Sequence, residues 1–325
     1  MSFAGDVKKE LSEDLESARH CRIAELAAIL SFSGTVMISA GNRISFKVQT
    51  ENLSVARKSQ ALLEQAFDLH PQCCTRIHGK KSRRRLTTTY YIVVPQQEDA
   101  VRVLRSTHIL DEKLELSEKS PVADELIVQC SCCKRAFLRG AFLCGGSISD
   151  PHKSYHFEIT CPDEPMAHQL QDMIAVFGPS AKIVTRKSKP VLYIKESGQV
   201  ADMLRIIGAD RSLLDLENIR IEHELVNSVN RKLNCDTANI NKIVQTSQKQ
   251  AEDIEYIERK IGLTALPDNL REMALVRVRN RELSLEDLGK MMNPPLGKSG
   301  VHHRLQKISA VAQKIREKEK RGDAS

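Results

Sequence analysis

Two stretches of the chain copy each other at an offset of about 111 residues, so whatever the first folds into, the second must build again. RIAELAAILSFSGTV (residues 22–36) lies over KRAFLRGAFLCGGSI (134–148). After each comes a strand-like pair, and then FKVQTENLSVA from Phe46 lies over FEITCPDEPMA from Phe157, with Ala56 matching Ala167. Each copy reads as helix, two strands, helix, two strands, helix. The later elements fall at 55–69, 75–78, 86–94 and from Gln97 in the first copy, and at 166–177, 182–185, 191–195 and 199–207 in the second. Strand runs such as TTTYYIVV are rich in β-branched and aromatic residues, while helical runs carry apolar residues at three- and four-residue spacing. The first helix of each copy has small residues one turn apart, Ala24 and Ala28, then Ala136 and Gly140. Such pairs let two backbones approach closely, so these helices are expected to meet on a pseudo-twofold axis.

A chain of 325 residues is long enough for two or three domains. The formal net charge is +7, and from Leu270 onward 13 Lys/Arg stand against 7 Asp/Glu, a net +6, so the tail carries nearly all of the excess. A basic end favours a phosphate backbone or an anionic membrane as partner, with a solvated helix face as the bland alternative. No run approaches the roughly 18 to 20 apolar residues needed to cross a bilayer. The opening MSFAGDVKKELSEDLE sets Phe3, Val7, Leu11 and Leu15 at helical spacing without a signal peptide's apolar stretch. The expectation is an untargeted cytosolic protein with an N-terminal helix over residues 1–20. Nine cysteines, an odd count without secretion signals, argue for reduced thiols. The run CSCC (130–133) suggests a metal, but zinc takes four ligands, usually as two separated pairs. Cys161 and the scattered histidines fall at no such spacing, and neither a metal nor a cofactor is expected.

LRGAFLCGG (138–146) and LAAILSFSG (26–34) resemble the LAGLIDADG helix of homing endonucleases. That resemblance implies two such helices at a central interface, each ending in an acid just before the last glycine, the two acids holding divalent metal over the scissile phosphates. The chemistry requires them, because hard cations take oxygen ligands and metal-assisted phosphodiester cleavage depends on activated water. Here the two positions are Ser33 and Gly145. The nearest acids, Glu25 and Asp150, match neither position, and Asp150 opens the turn SDPH. The chain is therefore expected not to be an enzyme and to have no catalytic residues. The rival is a metal-dependent endonuclease with displaced carboxylates such as Asp150. The same resemblance lays the sheets along DNA, with basic hairpin tips at equivalent places: Lys80, Lys81, Arg83, Arg84 and Arg85 in HGKKSRRRL, and Arg186, Lys187 and Lys189 in RKSK.

After Ala209 the pattern changes to long helical segments. NSVNRKLNCDTANINKIV (227–244) is rich in asparagine, and Asn230, Arg231, Asn234 and Asn239 are candidates either for hydrogen bonds to bases or, the favoured reading, for holding a helical junction. The end of the chain reads as three helices. Pro267 suits the first turn of one whose apolar stripe is Leu270, Ala274, Leu275 and Val278. Ser284 caps the next, with Asp287 three residues on, and NPPLGKSG stops it. Ser299 then caps a third helix running from residue 300 to 315. A short helix, a brief turn and a basic helix make a helix-turn-helix module, whose second helix enters the major groove. Lys298, Ser299, His302, His303, Arg304 and Lys307 are its candidate contacts, with Val301, Leu305 and Ile308 facing the module's core. Arg304 and the histidines are expected to supply specificity, and Lys298 and Lys307 to touch phosphate.

This last module resembles the C-terminal DNA-reading region of bacterial sigma factors. Joined to a degenerate LAGLIDADG domain, it is similar to the WhiA family of Gram-positive transcriptional regulators, over essentially the whole chain. CCKRAFLRGAFLCGGSISDP, NCDTANINK and LGKSGVHHRL carry the resemblance most specifically. It implies an α+β chain: an N-terminal helix (1–20), a LAGLIDADG-like domain of two αββαββα repeats (21–208; repeats 21–110 and 130–208), a helical linker (209–265) and an all-α helix-turn-helix domain (266–325). It further implies a non-catalytic, cytoplasmic and nucleoid-associated regulator of sporulation, cell division and chromosome segregation. The implied partners are promoter double-stranded DNA and an RNA polymerase sigma factor or another sporulation regulator, with no membrane. A scaffold for division or polymerase components is the remaining alternative.

Overall fold

The computed structural model describes residues 2–79, 86–111 and 122–322. The chain divides into two compact units, Met1–His223 and Glu224–Ser325.

The first unit opens with α1 (Phe3–Glu13), capped by Ser2, whose hydroxyl accepts from the Gly5 amide at 3.3 Å. Val7 and Leu11 are buried, but the helix ends at Glu13, so Leu15 lies beyond it and the helix expected over 1–20 is shorter. The first repeat follows as α2 (Arg19–Ser33), β1 (Gly34–Ser39), β2 (Arg43–Thr50), α3 (Leu53–Phe67), β3 (Gln72–Gly79), β4 (Leu86–Val94) and α4 (Gln97–Ser106). The second is α5 (Ser131–Gly145), β5 (Gly146–Ile148), β6 (Phe157–Thr160), α6 (Glu164–Ala175), β7 (Lys182–Arg186), β8 (Lys189–Ile194) and α7 (Ser197–Ile207). The order is the αββαββα plan read from the sequence, twice.

Each repeat folds its strands into one antiparallel sheet, in the orders β1-β2-β4-β3 and β5-β6-β8-β7. The registers correspond as well: Phe46 faces Val94, and Phe157 faces Ile194. Strand alternation explains the layering, since Ile44, Phe46 and Val48 point into the core while Arg43 and Gln49 are exposed. Helices cover that buried face in each half. Phe142 from α5 stacks on Phe157, with ring centroids 5.1 Å apart.

The axis is the α2–α5 pair. A Cβ at Gly140 would lie 2.5 Å from the Glu25 carbonyl oxygen and 2.8 Å from the Ala28 Cβ, so only glycine admits this approach. Buried charges tie the surrounding elements to the pair. Lys58 on α3 is fully buried; its ammonium sits 3.1 Å from Glu25 Oε1 and donates to the carbonyls of Leu11 (3.0 Å) and Asp14. Those three acceptors use all its donors. Arg139 on α5 reaches Glu25 Oε1 at 3.2 Å and Glu16 Oε1 at 2.9 Å. Burial pushes the Glu25 carboxyl up and the Lys58 ammonium down, so desolvation offsets much of their attraction.

The helix α8 (Asp210–Ile261) runs unbroken for 52 residues. At its start Glu10 accepts from the amides of Arg211 (2.7 Å) and Ser212 (3.0 Å), an anion on a helix N-terminus. Residues 224–246 are exposed throughout, Asn230, Arg231, Asn234 and Asn239 among them. Those four residues thus stand exposed on α8.

In the second unit the last turns of α8 are already core. Ile254 and Ile257 pack with Leu266, Leu270, Met273, Leu288, Val301, Leu305 and Ile308, so residues placed in a linker by the sequence reading help to build the module. A 3₁₀ turn (Leu263–Ala265) leads into α9 (Asp268–Arg279), α10 (Leu285–Lys290) and α11 (Lys298–Gly322). Pro267 stands just before α9, its carbonyl accepting from the Leu270 and Arg271 amides at 2.9 Å. Met273 takes the core place expected for Leu275, which is exposed. Ser299 lies inside α11 rather than capping it, because the helix starts one residue earlier, at Lys298.

Candidate nucleic-acid interface

The helix-turn-helix is built by three local devices. Ser284 Oγ accepts from the Asp287 amide at 3.2 Å and starts α10 where the capping pattern places it. Gly289 then allows the turn to fold back: the Leu296 amide donates to its carbonyl at 2.9 Å, and a Cβ there would lie 2.0 Å from the Leu296 oxygen. Arg277, buried on α9, fixes the α9–α10 connection by donating to the Leu283 carbonyl at 2.8 Å. At the far end α11 is clamped to α8 by Arg316–Asp253 (2.7 Å), Tyr256–Glu319 (2.6 Å) and Lys260–Glu319 (2.5 Å).

Val301, Leu305 and Ile308 are buried, as the spacing predicts, and they define the outward side of α11 by helical geometry. Ser299, His303 and Lys307 lie on that side and are exposed, with His302 on its shoulder. Gln306 is exposed between them and is absent from the sequence-based set; its amide is the type of group that reads adenine in a major groove. Lys298 and His302 border a cleft of about 540 Å³ shared with Arg277, Leu283 and Lys242. Arg304 is the displaced member: half-buried, it turns toward α9 and donates to the Asn269 carbonyl at 3.2 Å.

In the first unit, the β7–β8 tip carries Lys187 and Ser188 at positive φ (49° and 62°), a tight hairpin turn. Lys187 and Lys189 are exposed, whereas Arg186 is engaged by Glu158 at 3.0 Å. Lys80, Lys81, Arg83, Arg84 and Arg85 of the equivalent tip lie outside the described residues.

At the C-terminal ends of α2 and α5 stand the positions that the endonuclease motif fills with acids. Burial pushes the Cys144 thiol beside Ser33 up to about 11. At Gly145 a Cβ would lie 2.3 Å from the Thr160 carbonyl oxygen and 3.1 Å from the Phe32 ring. The strand and the ring occupy the space a carboxylate would need. Of the two nearby acids, Glu25 is fully buried between Lys58 and Arg139, and Asp150 accepts from the His152 amide at 3.1 Å in the turn that the sequence indicates.

At the opposite ends of the same helices the fold gathers a group that the linear spacing concealed. His20, Cys21, Cys132 and Cys133 bring one ligand atom each to within 4.8 Å of one another. The CSCC run acquires its second pair from about 111 residues earlier in the chain. Burial pushes the Cys21 thiol up to about 12 and that of Cys133 up to about 11.

Comparison with known proteins agrees with this architecture. Family models for the WhiA N-terminal LAGLIDADG-like domain, the WhiA LAGLIDADG-like domain and the WhiA C-terminal HTH domain match residues 19–110, 134–226 and 229–312. The probable cell division protein WhiA of Lachnoclostridium phytofermentans is 44% identical over 317 residues, spanning 98% of this chain and 100% of the relative. That of Alkaliphilus metalliredigens is 41% identical over 319 residues, spanning 98% and 99%. The crystal structure of full-length DUF199/WhiA from Thermatoga maritima is similar with a TM-score of 0.57 at 26% identity, covering 97% of this chain and 99% of that one. With all three domain models in order along one chain and full-length relatives above two-fifths identity, this protein belongs to the WhiA family.

Proposed function

We propose that this chain is a sequence-specific regulator that binds double-stranded promoter DNA through its C-terminal unit, and that its endonuclease-like unit has no cutting chemistry. The observation that carries the reading is the outward side of α11, where Ser299, His303, Gln306 and Lys307 stand exposed opposite a closed apolar core. A helix set in this way after a short helix and a tight turn enters a major groove with polar side chains toward base edges. His303 and Gln306 read bases, Lys307 and Lys298 meet phosphate, and Arg304 braces α11 against α9. Lys187 and Lys189 supply further phosphate contacts from the first unit. The absence of nuclease chemistry is supported by Ser33 and by the filled space at Gly145.

Cell division is the process that the relatives' names state, and we extend it to this chain. Sporulation and chromosome segregation are the wider roles that the family resemblance implies. An RNA polymerase sigma factor or a sporulation regulator is the protein partner of this reading. No described helix is long and apolar enough to cross a membrane; a cytoplasmic place at the nucleoid belongs to this reading through the DNA it binds.

The test is binding of the full chain to genomic fragments across a salt series. Lys307→Ala is expected to lower affinity for all sequences and to reduce the salt slope by about 1. His303→Ala and Gln306→Ala are each expected to lose roughly 1–3 kcal/mol of discrimination between cognate and altered sites. A triple variant that still selects the same fragments would place the reading elsewhere. Supercoiled DNA incubated with the chain and magnesium is expected to stay intact; nicking abolished by Asp150→Ala would restore the nuclease reading.

A further inference from the structure

We propose that His20, Cys21, Cys132 and Cys133 form a structural zinc site that joins the N-terminal turns of α2 and α5. Their four ligand atoms lie within 4.8 Å of one another, with His20 Nδ1 3.1 Å from Cys133 Sγ and 3.4 Å from Cys21 Sγ. A tetrahedral zinc with bonds of about 2.3 Å to sulfur and 2.0–2.1 Å to nitrogen separates its ligand atoms by roughly 3.6–3.8 Å. The four atoms therefore need only sub-ångström to ångström adjustments to close around the ion.

The donor set selects the metal. Three thiols and an imidazole are soft to borderline ligands, suited to zinc and unsuited to magnesium or calcium, which take oxygen. Four protein ligands leave no open position, the mark of a structural rather than a catalytic site. All four groups sit in the first turns of two 15-residue helices, α2 and α5. Three thiolates around a dication leave one net negative charge, and two helix N-termini face it.

The pseudo-symmetry supplies an independent argument. The alignment that places Ala24 over Ala136 and Ala28 over Gly140 places His20 over Cys132 and Cys21 over Cys133. The site is thus one adjacent pair from each repeat, brought together by the close packing that Gly140 permits. Neither repeat alone holds more than two ligands. The ion fastens the two halves at the end of the helix pair where Cys21 and Cys133 are buried and His20 and Cys132 are exposed.

The full chain, purified under reducing conditions without chelators, is expected to carry one zinc per molecule by elemental analysis. After zinc removal, cobalt is expected to give the intense visible bands of a tetrahedral thiolate site. Cys132→Ser and His20→Asn change exposed side chains, so their folding can be checked by circular dichroism. Each is expected to weaken zinc binding by more than the roughly 10–100-fold that loss of an outer-sphere partner costs. Cys130→Ser, an exposed neighbour outside the cluster, is expected to bind as the unaltered chain does. Octahedral cobalt spectra, or folded Cys132→Ser and His20→Asn variants with undiminished zinc, would overturn the assignment. So would a disulfide among Cys21, Cys132 and Cys133 in zinc-free protein, which would make the cluster a redox pair instead.

Discussion

Gly145→Ala tests whether the fold itself leaves no room for the acid that the endonuclease motif carries at this position. A Cβ at this position meets the Thr160 carbonyl oxygen at 2.3 Å, while real Cβ contacts essentially never fall below 3.0 Å, so the strand must retreat by at least 0.7 Å. Thr160 cannot move alone: it is paired with Val191 of β8, and the next amide, of Cys161, donates to the Pro190 carbonyl at 2.9 Å. Overpacking of this kind costs about 1–3 kcal/mol. In a unit of this size that lowers Tm by roughly 2–12 °C, at 2–4 °C per kcal/mol. Thermal unfolding of the full chain, followed by circular dichroism, measures it. Gly145→Asp is expected to cost more, since it adds a carboxylate to the same crowded space, and Ser33→Asp/Gly145→Asp is expected not to cut DNA in magnesium. A Gly145→Ala chain as stable as the unaltered one would refute the packing argument, leaving absence of the acid as the only barrier to metal binding at this end.

Three further substitutions test other parts of the structure. Glu25→Gln leaves Lys58 and Arg139 buried with their shared anion gone; breaking a buried pair costs about 3–5 kcal/mol, and a Tm loss under about 3 °C would refute the buried network. Ser284→Ala removes the α10 cap and is expected to lower the stability of the second unit by about 1 kcal/mol, read from its urea midpoint. Ile254→Ala, in the last turns of α8, is expected to cost that unit about 2–5 kcal/mol; a negligible change would return those turns to a linker.

What the sequence made legible depended on whether an element's partners were near in sequence or far from it. The repeat exposes the αββαββα order because each strand and helix is named twice. The Ser284 cap and the Val301, Leu305, Ile308 face are local patterns, and local patterns survive folding. The phase of an apolar stripe is set by its partner, which is why Met273 and not Leu275 fills the core. Arg304 sits at the flank of its helix, and only the position of α9 decides that it turns to Asn269. Lys58 reads as a surface charge until Leu11, Asp14 and Glu25 converge on it. The same holds for His20 and Cys21: a two-residue pair is no metal motif until the fold sets it against another.

The α2–α5 pair holds this unit together independently of the positions where the endonuclease motif carries its acids. Its small residues, Ala28 against Gly140, are what two copies of one motif share, and shared packing alone does not distinguish one half from the other. The charges do. Under the repeat alignment Glu25 corresponds to Phe137 and Arg139 to Ala27, so the Glu25–Arg139 contact has no symmetric counterpart. A buried ion pair adds little net stability once desolvation is counted, and its best-attested use is to fix register. Here it assigns each helix its side: Glu25 draws Lys58 and, through it, the end of α1, while Arg139 reaches Glu16 and the Ile207 carbonyl at the end of α7. The pair therefore organises the elements around it through contacts that the Ser33 and Gly145 positions do not enter. Serine and glycine at those two positions therefore leave this framework unweakened.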